Sequence, residues 1–198
     1  MATLETGAGA STLVFAAAGT EHEAVTPVEA ERERILAECD RRGISTDRVT
    51  FRIGPSQEVL PRLEPHPLDL VLVDGAHGFP YPILDWWFLA PWLRVGGLLA
   101  VDDCYLPPVG ALVDFLRAGS SWEVAATPGR RTVVFRKLAE TEPEAEWSGE
   151  GRMSFRYLPP LRRARAAVEH RLLENRVAQA LARQRRRTRS GGSIRQRT

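Results

Sequence analysis

Asp74, His77, Asp102 and Asp103 stand at the ends of two apolar runs, Asp69-Leu-Val-Leu-Val-Asp-Gly-Ala-His77 and Gly96-Gly-Leu-Leu-Ala-Val-Asp-Asp103. Carboxylates and an imidazole bind ligands and move protons, and an open α/β sheet presents such groups in the crevice beyond the carboxyl ends of its strands. Runs as apolar as Leu70–Val73 and Leu98–Val101 read as strands buried on both faces. Such strands need helices on either side and hence a parallel sheet.

The elements that must position these residues form an α/β succession. A stub of strand over Met1–Glu5 runs into Thr6-Gly-Ala-Gly-Ala-Ser11 and a small-residue helix over Thr12–Ala18. A strand over His22–Val28, a charged amphipathic helix over Glu29–Arg42 and a strand over Val49–Gly54 follow. The pattern continues with a short helix over Gln57–Leu63, a strand over Leu68–Asp74, a helix over Ile83–Leu93, a strand over Leu98–Asp103 and a helix over Val109–Ala118. Trp122–Ala126 and Thr132–Arg136 face each other across Thr127-Pro-Gly-Arg130 and predict an antiparallel ending. The fold class is therefore α/β, a Rossmann-like, doubly wound, mostly parallel sheet with an antiparallel last strand.

With 198 residues, 43% of them apolar, the chain is long enough for one ordinary domain plus an appendage. The formal charge of +2 conceals an asymmetry: from Pro160 onward there are twelve arginines and two glutamates, net +10, which leaves −8 on the rest. The α/β domain is expected over residues 1–138 and a linker rich in Glu, Pro, Gly and Ser over 139–160. A basic helix with a disordered, frayed tail is expected over 161–198. The tail's arginines read in two ways: a solvated or homo-oligomerising helix that counters the acidic domain, or a contact for nucleic acid or an anionic surface. Cys39 and Cys104 are too few and too far apart for a disulfide framework, so a reducing, cytoplasmic setting is expected. No apolar run reaches membrane-spanning length, and no secretory leader is recognisable.

A strand ending in an acid, then Gly7-Ala-Gly9, then a helix, suits a ligand that comes close to backbone, because glycine lacks a Cβ and helix N–H groups point outward. A tight turn with no ligand reads equally well from this loop alone. Gly7 and Gly9 are followed by Thr12 where a dinucleotide fingerprint needs a third glycine, which argues against a dinucleotide-dependent oxidoreductase.

Taken together, Leu4-Glu-Thr-Gly-Ala-Gly-Ala-Ser-Thr12, Val71-Leu-Val-Asp-Gly-Ala-His77 and Gly96-Gly-Leu-Leu-Ala-Val-Asp-Asp103 resemble the class I S-adenosylmethionine-dependent methyltransferases over roughly Thr3–Leu138. Within them the chain looks most like the small-molecule O-methyltransferases, of catechol type and of the bacterial sugar- and antibiotic-modifying kind. The resemblance implies a seven-stranded sheet, S-adenosylmethionine as cofactor, and Glu5, Gly7 and Gly9 around its methionine moiety. It also implies an acid for the ribose hydroxyls at the end of the second strand. Here that strand ends Ala24-Val-Thr-Pro-Val-Glu29, so either Thr26 makes a weaker contact or Glu29 reaches back. Glu29 equally favours the N-terminus of its own helix. Gly54-Pro-Ser-Gln57 would run under the adenine, where Ser56 or Gln57 meets its amino edge or Ser56 caps a helix. Only Met1–Leu4 precede the glycine-loop motif that begins at Glu5, and this short start reads as a fragment or a misassigned start.

In catechol-type relatives the acids ending the fourth and fifth strands hold magnesium, and the resemblance places Asp74, Asp102 and Asp103 there. A hard cation takes oxygen ligands, relieves the repulsion of converging carboxylates and lowers the pKa of a bound hydroxyl. The alternative is that one of Asp102 and Asp103 caps the following segment. His77 falls where those enzymes carry the base that takes the substrate proton, a task suited to an imidazole of pKa about 6.5. Catalytic work is thus expected of His77 and Asp74, and a further cofactor contact of Asp74. Phe79, Tyr81 and Tyr105 are candidates for an acceptor pocket, whereas Trp86 and Trp87 belong on a helix packed against the sheet. The function this implies is S-adenosylmethionine-dependent O-methylation of a small hydroxylated metabolite or sugar with metal assistance. Two rivals stand: a metal-independent enzyme with His77 alone as base, and a truncated Rossmann-like domain that acts as a non-catalytic interaction module through its basic tail.

Overall fold

The computed structural model describes residues 1–140. The linker beyond residue 140, the basic helix and the tail expected from the sequence lie outside the described residues. Seven strands form one sheet: β1 (Ala2–Thr6), β2 (Glu21–Thr26), β3 (Val49–Ile53), β4 (Leu68–Val73), β5 (Leu93–Val101), β6 (Trp122–Ala126) and β7 (Val133–Lys137). Their spatial order is β3-β2-β1-β4-β5-β7-β6. The neighbours from β3 to β5 pair in parallel, whereas β7 runs antiparallel to both β5 and β6. This is the Rossmann-like sheet with an antiparallel last strand that the sequence predicts.

Helices α1 (Ala10–Ala17), α2 (Glu29–Arg42), α3 (Ser56–Val59), α4 (Tyr81–Leu89) and α5 (Pro107–Ala118) connect the strands. Two apolar layers hold them to the sheet. One contains Ala16 of α1 and Ile35 and Cys39 of α2, with Val49 and Phe51 of β3 packed against them. The larger joins Leu4, Val71, Val73, Leu99 and Val101 of the central strands to Trp86 and Leu89 of α4 and Val109, Leu112, Val113 and Leu116 of α5. Trp86 is fully buried and meets Phe115 edge-on with ring centroids 5.1 Å apart. Trp86 and Trp87 both serve packing, as their helical position suggests.

Helix α2 spans the residues expected of it. It stops where Gly43 adopts φ 65°, freeing its N–H to bond Asp40 and the next N–H to bond Cys39. Two boundaries, the end of α4 and the start of β5, differ from the sequence reading by four or more residues. Helix α4 ends at Leu89 rather than Leu93, because Pro91 has no N–H to continue the ladder. Strand β5 begins five residues earlier than the apolar run, as Leu93 already pairs with Leu68 of β4. Among the described residues no helix is long and apolar enough to cross a membrane.

Strand β1 is central, and the chain moves from it to β2 on one side and to β4 on the other. Between β1 and β4 the order of connections reverses, which opens a crevice at their carboxyl ends. The glycine loop after β1 and Asp74 after β4 therefore converge.

Candidate active site

A cavity of about 460 Å³ lies at that switch point, lined by Thr6, Gly7 and Ala8 after β1, Thr26–Val28 after β2, Pro55–Gln57 after β3 and Asp74–Ala76 after β4, with Glu31 and Tyr81 at its sides. Its size falls within the range of small-molecule sites. The backbone itself forms part of the wall. Gly7 has φ 88°, and a Cβ there would lie 2.2 Å from the carbonyl oxygen of Asp74. Its N–H bonds the carbonyl of Val25, while the Asp74 N–H bonds that of Thr6, so the loops after β1, β2 and β4 are tied together under the cavity.

Of the residues expected around the cofactor, Gly7, Thr26, Ser56, Gln57 and Asp74 line this cavity. The structure does not bring the others to it. Glu5 is fully buried beneath the loop, where it accepts hydrogen bonds from Thr12 and pairs with His22 at 3.1 Å. Thr12 also accepts from the Gly9 N–H at 3.0 Å, so Glu5 shapes the glycine loop from below instead of facing a ligand. This explains why Thr12 stands where a dinucleotide site has glycine: its hydroxyl joins the loop to the strand. Gly9 faces a neighbouring groove between α1 and α2, and no atom lies within 4 Å of the position its Cβ would take.

Glu29 is corrected outright. Its carboxylate is half exposed and pairs with Arg32 at 2.5 Å on the outer face of α2. Glu31 lines the cavity in its place and accepts a 2.5 Å hydrogen bond from the Thr26 hydroxyl, which in turn accepts from the Val28 N–H at 3.3 Å. Thr26 and an acid from the first turn of α2 thus act as one unit. The sequence reading missed Glu31 because it looked for the acid at the strand end; the signal was a second glutamate in the same helical turn.

Asp85 of α4, also missed, is buried behind Gly75, whose absent Cβ would lie 3.4 Å from one of its carboxylate oxygens. Burial raises its pKa above the usual 3.8, against the nearby Ser56 and Thr6 hydroxyls, which lower it.

At the cavity's rim Asp74 meets the acids that follow β5. His77 Nε2 lies 3.6 Å from Asp74 Oδ1 and 3.3 Å from Asp103 Oδ2, without a well-formed hydrogen bond to either. Donor atoms of these three residues all lie within 4.8 Å of one another. Burial raises the pKa of Asp74, the charge of Asp102 adds to this, and His77 opposes it. Asp103 is the one non-glycine residue among those described with a positive φ, 55°, a conformation that asparagine and aspartate adopt more readily than other side chains.

Asp102 behaves differently. Arg131 Nη2 donates to its Oδ2 at 2.7 Å, Arg131 Nε reaches both oxygens at 3.0 and 3.2 Å, and the Thr132 hydroxyl donates to Oδ1 at 2.5 Å. Burial would raise the Asp102 pKa, but these bonds outweigh it and hold the carboxyl below its usual value. Of the three expected metal ligands, Asp74 and Asp103 therefore keep donor atoms turned toward a common point, which His77 shares. Asp102 does not, since a carboxylate offers about four acceptor positions and these contacts take them up. Among the described residues, Asp74, His77 and Asp103 are the group whose ligand atoms lie close enough together to meet at one cation.

Tyr81 lines the cavity, while Phe79 and Tyr105 are 72% and 67% exposed.

A model of the methyltransferase domain family matches residues 4–104. Among solved structures, the chain is similar to the O-methyltransferase TomG from Streptomyces achromogenes, involved in tomaymycin synthesis and solved in complex with SAM. Identity is 19%, covering 69% of this chain and 73% of that one, with a TM-score of 0.57. A methyltransferase from Geobacter sulfurreducens shares 15% identity over 69% of this chain and 71% of that one, with a TM-score of 0.57. An rRNA methylase from Streptococcus thermophilus shares 14% over 70% and 87%, with a TM-score of 0.54. These likenesses are of fold. Comparison with curated proteins finds no match.

Proposed function

The chain belongs to the methyltransferase domain family and is a class I S-adenosylmethionine-dependent methyltransferase, and from that premise we propose that it methylates a hydroxyl oxygen of a small acceptor. The observation that carries this reading is the position of His77 between Asp74 and Asp103, at the rim of a cavity whose wall includes Asp74. One residue thus belongs to both the donor cavity and the acid cluster.

When bound, S-adenosylmethionine supplies an electrophilic methyl group on a sulfonium and leaves as the thioether. Gly7 lets the loop after β1 close against the Asp74 backbone, and together they form the wall that would face the cofactor. Glu31, held by Thr26, would accept from the ribose hydroxyls, and Ser56 and Gln57 would meet the adenine edge. The His77 imidazole receives the acceptor's hydroxyl proton as the acceptor oxygen attacks the methyl carbon, and the two carboxylates that flank Nε2 stabilise the imidazolium that forms. A divalent cation, where bound at Asp74, His77 and Asp103, would polarise the acceptor oxygen instead. Phe79 and Tyr105 offer ring faces to an aromatic or sugar acceptor.

TomG, an O-methyltransferase of this fold, supports oxygen as the atom methylated. The reading is tested by following S-adenosylhomocysteine release with a panel of diphenols and sugar alcohols, in the native protein and in His77→Gln. Turnover with at least one acceptor, reduced a hundredfold or more by the substitution, is expected. Turnover insensitive to His77→Gln would remove the proposed base.

A further inference from the structure

Arg131 lies 29 residues from Asp102 in sequence, yet its side chain contacts both acids after β5. Its Nη2 contacts Asp102 Oδ2 at 2.7 Å and Asp103 Oδ1 at 2.9 Å, so one guanidinium bridges both carboxylates. The sheet brings it there. Val101 of β5 pairs with Val133 of the antiparallel β7, and the register continues beyond the last pair to set Thr132 and Arg131 beside Asp102 and Asp103. The backbone fixes the same approach, since the Cys104 N–H donates to the Arg131 carbonyl at 2.8 Å.

We infer that Arg131 is the resident cation of the acceptor site: it fills the electrostatic place that a divalent metal would take at Asp102 and Asp103, and it keeps these acids from holding one tightly. The inference rests on the methyl-transfer reading of the site. Its physical basis is competition. A metal that used Asp102 would have to displace three donor groups, and one that used Asp103 would sit within a few ångströms of a fixed positive charge. The planar fork of the guanidinium suits two adjacent carboxylates, and its charge persists at any pH the fold tolerates. Arg131 is thus a positioning residue: by engaging Asp103 Oδ1 it leaves Oδ2 directed at His77, 3.3 Å away. The acceptor's proton then has a base available without a metal.

The test uses Mn²⁺ alone as probe, followed by calorimetry and by the loss of its free-ion electron paramagnetic resonance signal. S-Adenosylhomocysteine binding is measured on the same samples. The native protein should bind Mn²⁺ weakly, with a dissociation constant on the order of millimolar. Arg131→Gln, which keeps an amide donor and loses the charge, should bind it on the order of tenfold or more tightly. Arg131→Lys keeps the charge and should stay near the native value. A role confined to folding would make Gln and Lys behave alike, and unaltered circular dichroism with intact S-adenosylhomocysteine binding identifies folded variants. Micromolar Mn²⁺ binding by the native protein, or unchanged or weaker binding by Arg131→Gln, would overturn the inference. Loss of S-adenosylhomocysteine binding by the native protein would instead strike the methyl-transfer reading.

Discussion

The Cα of Gly7 and the carbonyl of Asp74 approach so closely that a Cβ on residue 7 would lie 2.2 Å from the carbonyl oxygen, and the obstructing atoms are backbone. Gly7→Ala must therefore part β1 from β4 while also holding alanine at φ 88°. It is expected to cost about 2–4 kcal/mol in chemical denaturation. Gly9→Ala meets nothing in the protein and should leave the unfolding midpoint nearly unchanged.

Glu31 and Glu29 share the first turn of α2 but face different surroundings, one lining the cavity and the other paired with Arg32. Loss of a charge-assisted hydrogen bond to the ribose should weaken S-adenosylhomocysteine binding by roughly tenfold to a hundredfold in Glu31→Gln. Titration calorimetry should find Glu29→Gln within about threefold of the native protein. Equal effects would remove Glu31 from the donor site.

Burial of Asp85 predicts a pH dependence of stability. With its folded-state pKa raised above 3.8, the group's contribution is fully present below that value and is lost as pH rises through the folded-state value. Asp85→Asn cannot ionise, so its stability relative to the native protein should increase with pH across that window. Urea titrations at a series of pH values would show this, and a difference constant with pH would contradict it.

Asp102 has the opposite sign. Arg131 and Thr132 hold its folded-state pKa below 3.8, so the stabilisation is present above pH 3.8 and is lost as pH falls through the lower folded-state value. Asp102→Asn should remove that acid-side decline, and denaturation between pH 2 and 5 reads the difference on an order-of-magnitude scale of 1 kcal/mol.

How much of this was legible in the chain follows from the range of each interaction. The period of two in Val49–Ile53, the charged helix from Glu29 to Arg42 and the apolar runs ending at Asp74 and Asp103 are local patterns, and they yielded the sheet and its order of elements. Strand ends also placed Asp74, His77 and Asp103 together, because parallel strands bring their carboxyl ends to one edge. Arg131 was not legible, since its meeting with Asp102 depends on the β5–β7 register across 29 residues. Glu5 misled for a related reason. Its strand position suggests the cavity, but its side chain turns to His22 and Thr12 beneath the glycine loop. The Thr26–Glu31 bond depends on the turn through Pro27 and Val28 between β2 and α2, which composition does not reveal.

The most direct measurement is a calorimetric titration of the folded protein with S-adenosylmethionine. One-to-one binding at a dissociation constant on the order of micromolar, weakened in Glu31→Gln and retained in Glu29→Gln, is the expected result. Absence of any binding heat from protein shown by circular dichroism to be folded, confirmed by equilibrium dialysis, would contradict the assignment of this cavity as the methyl-donor site.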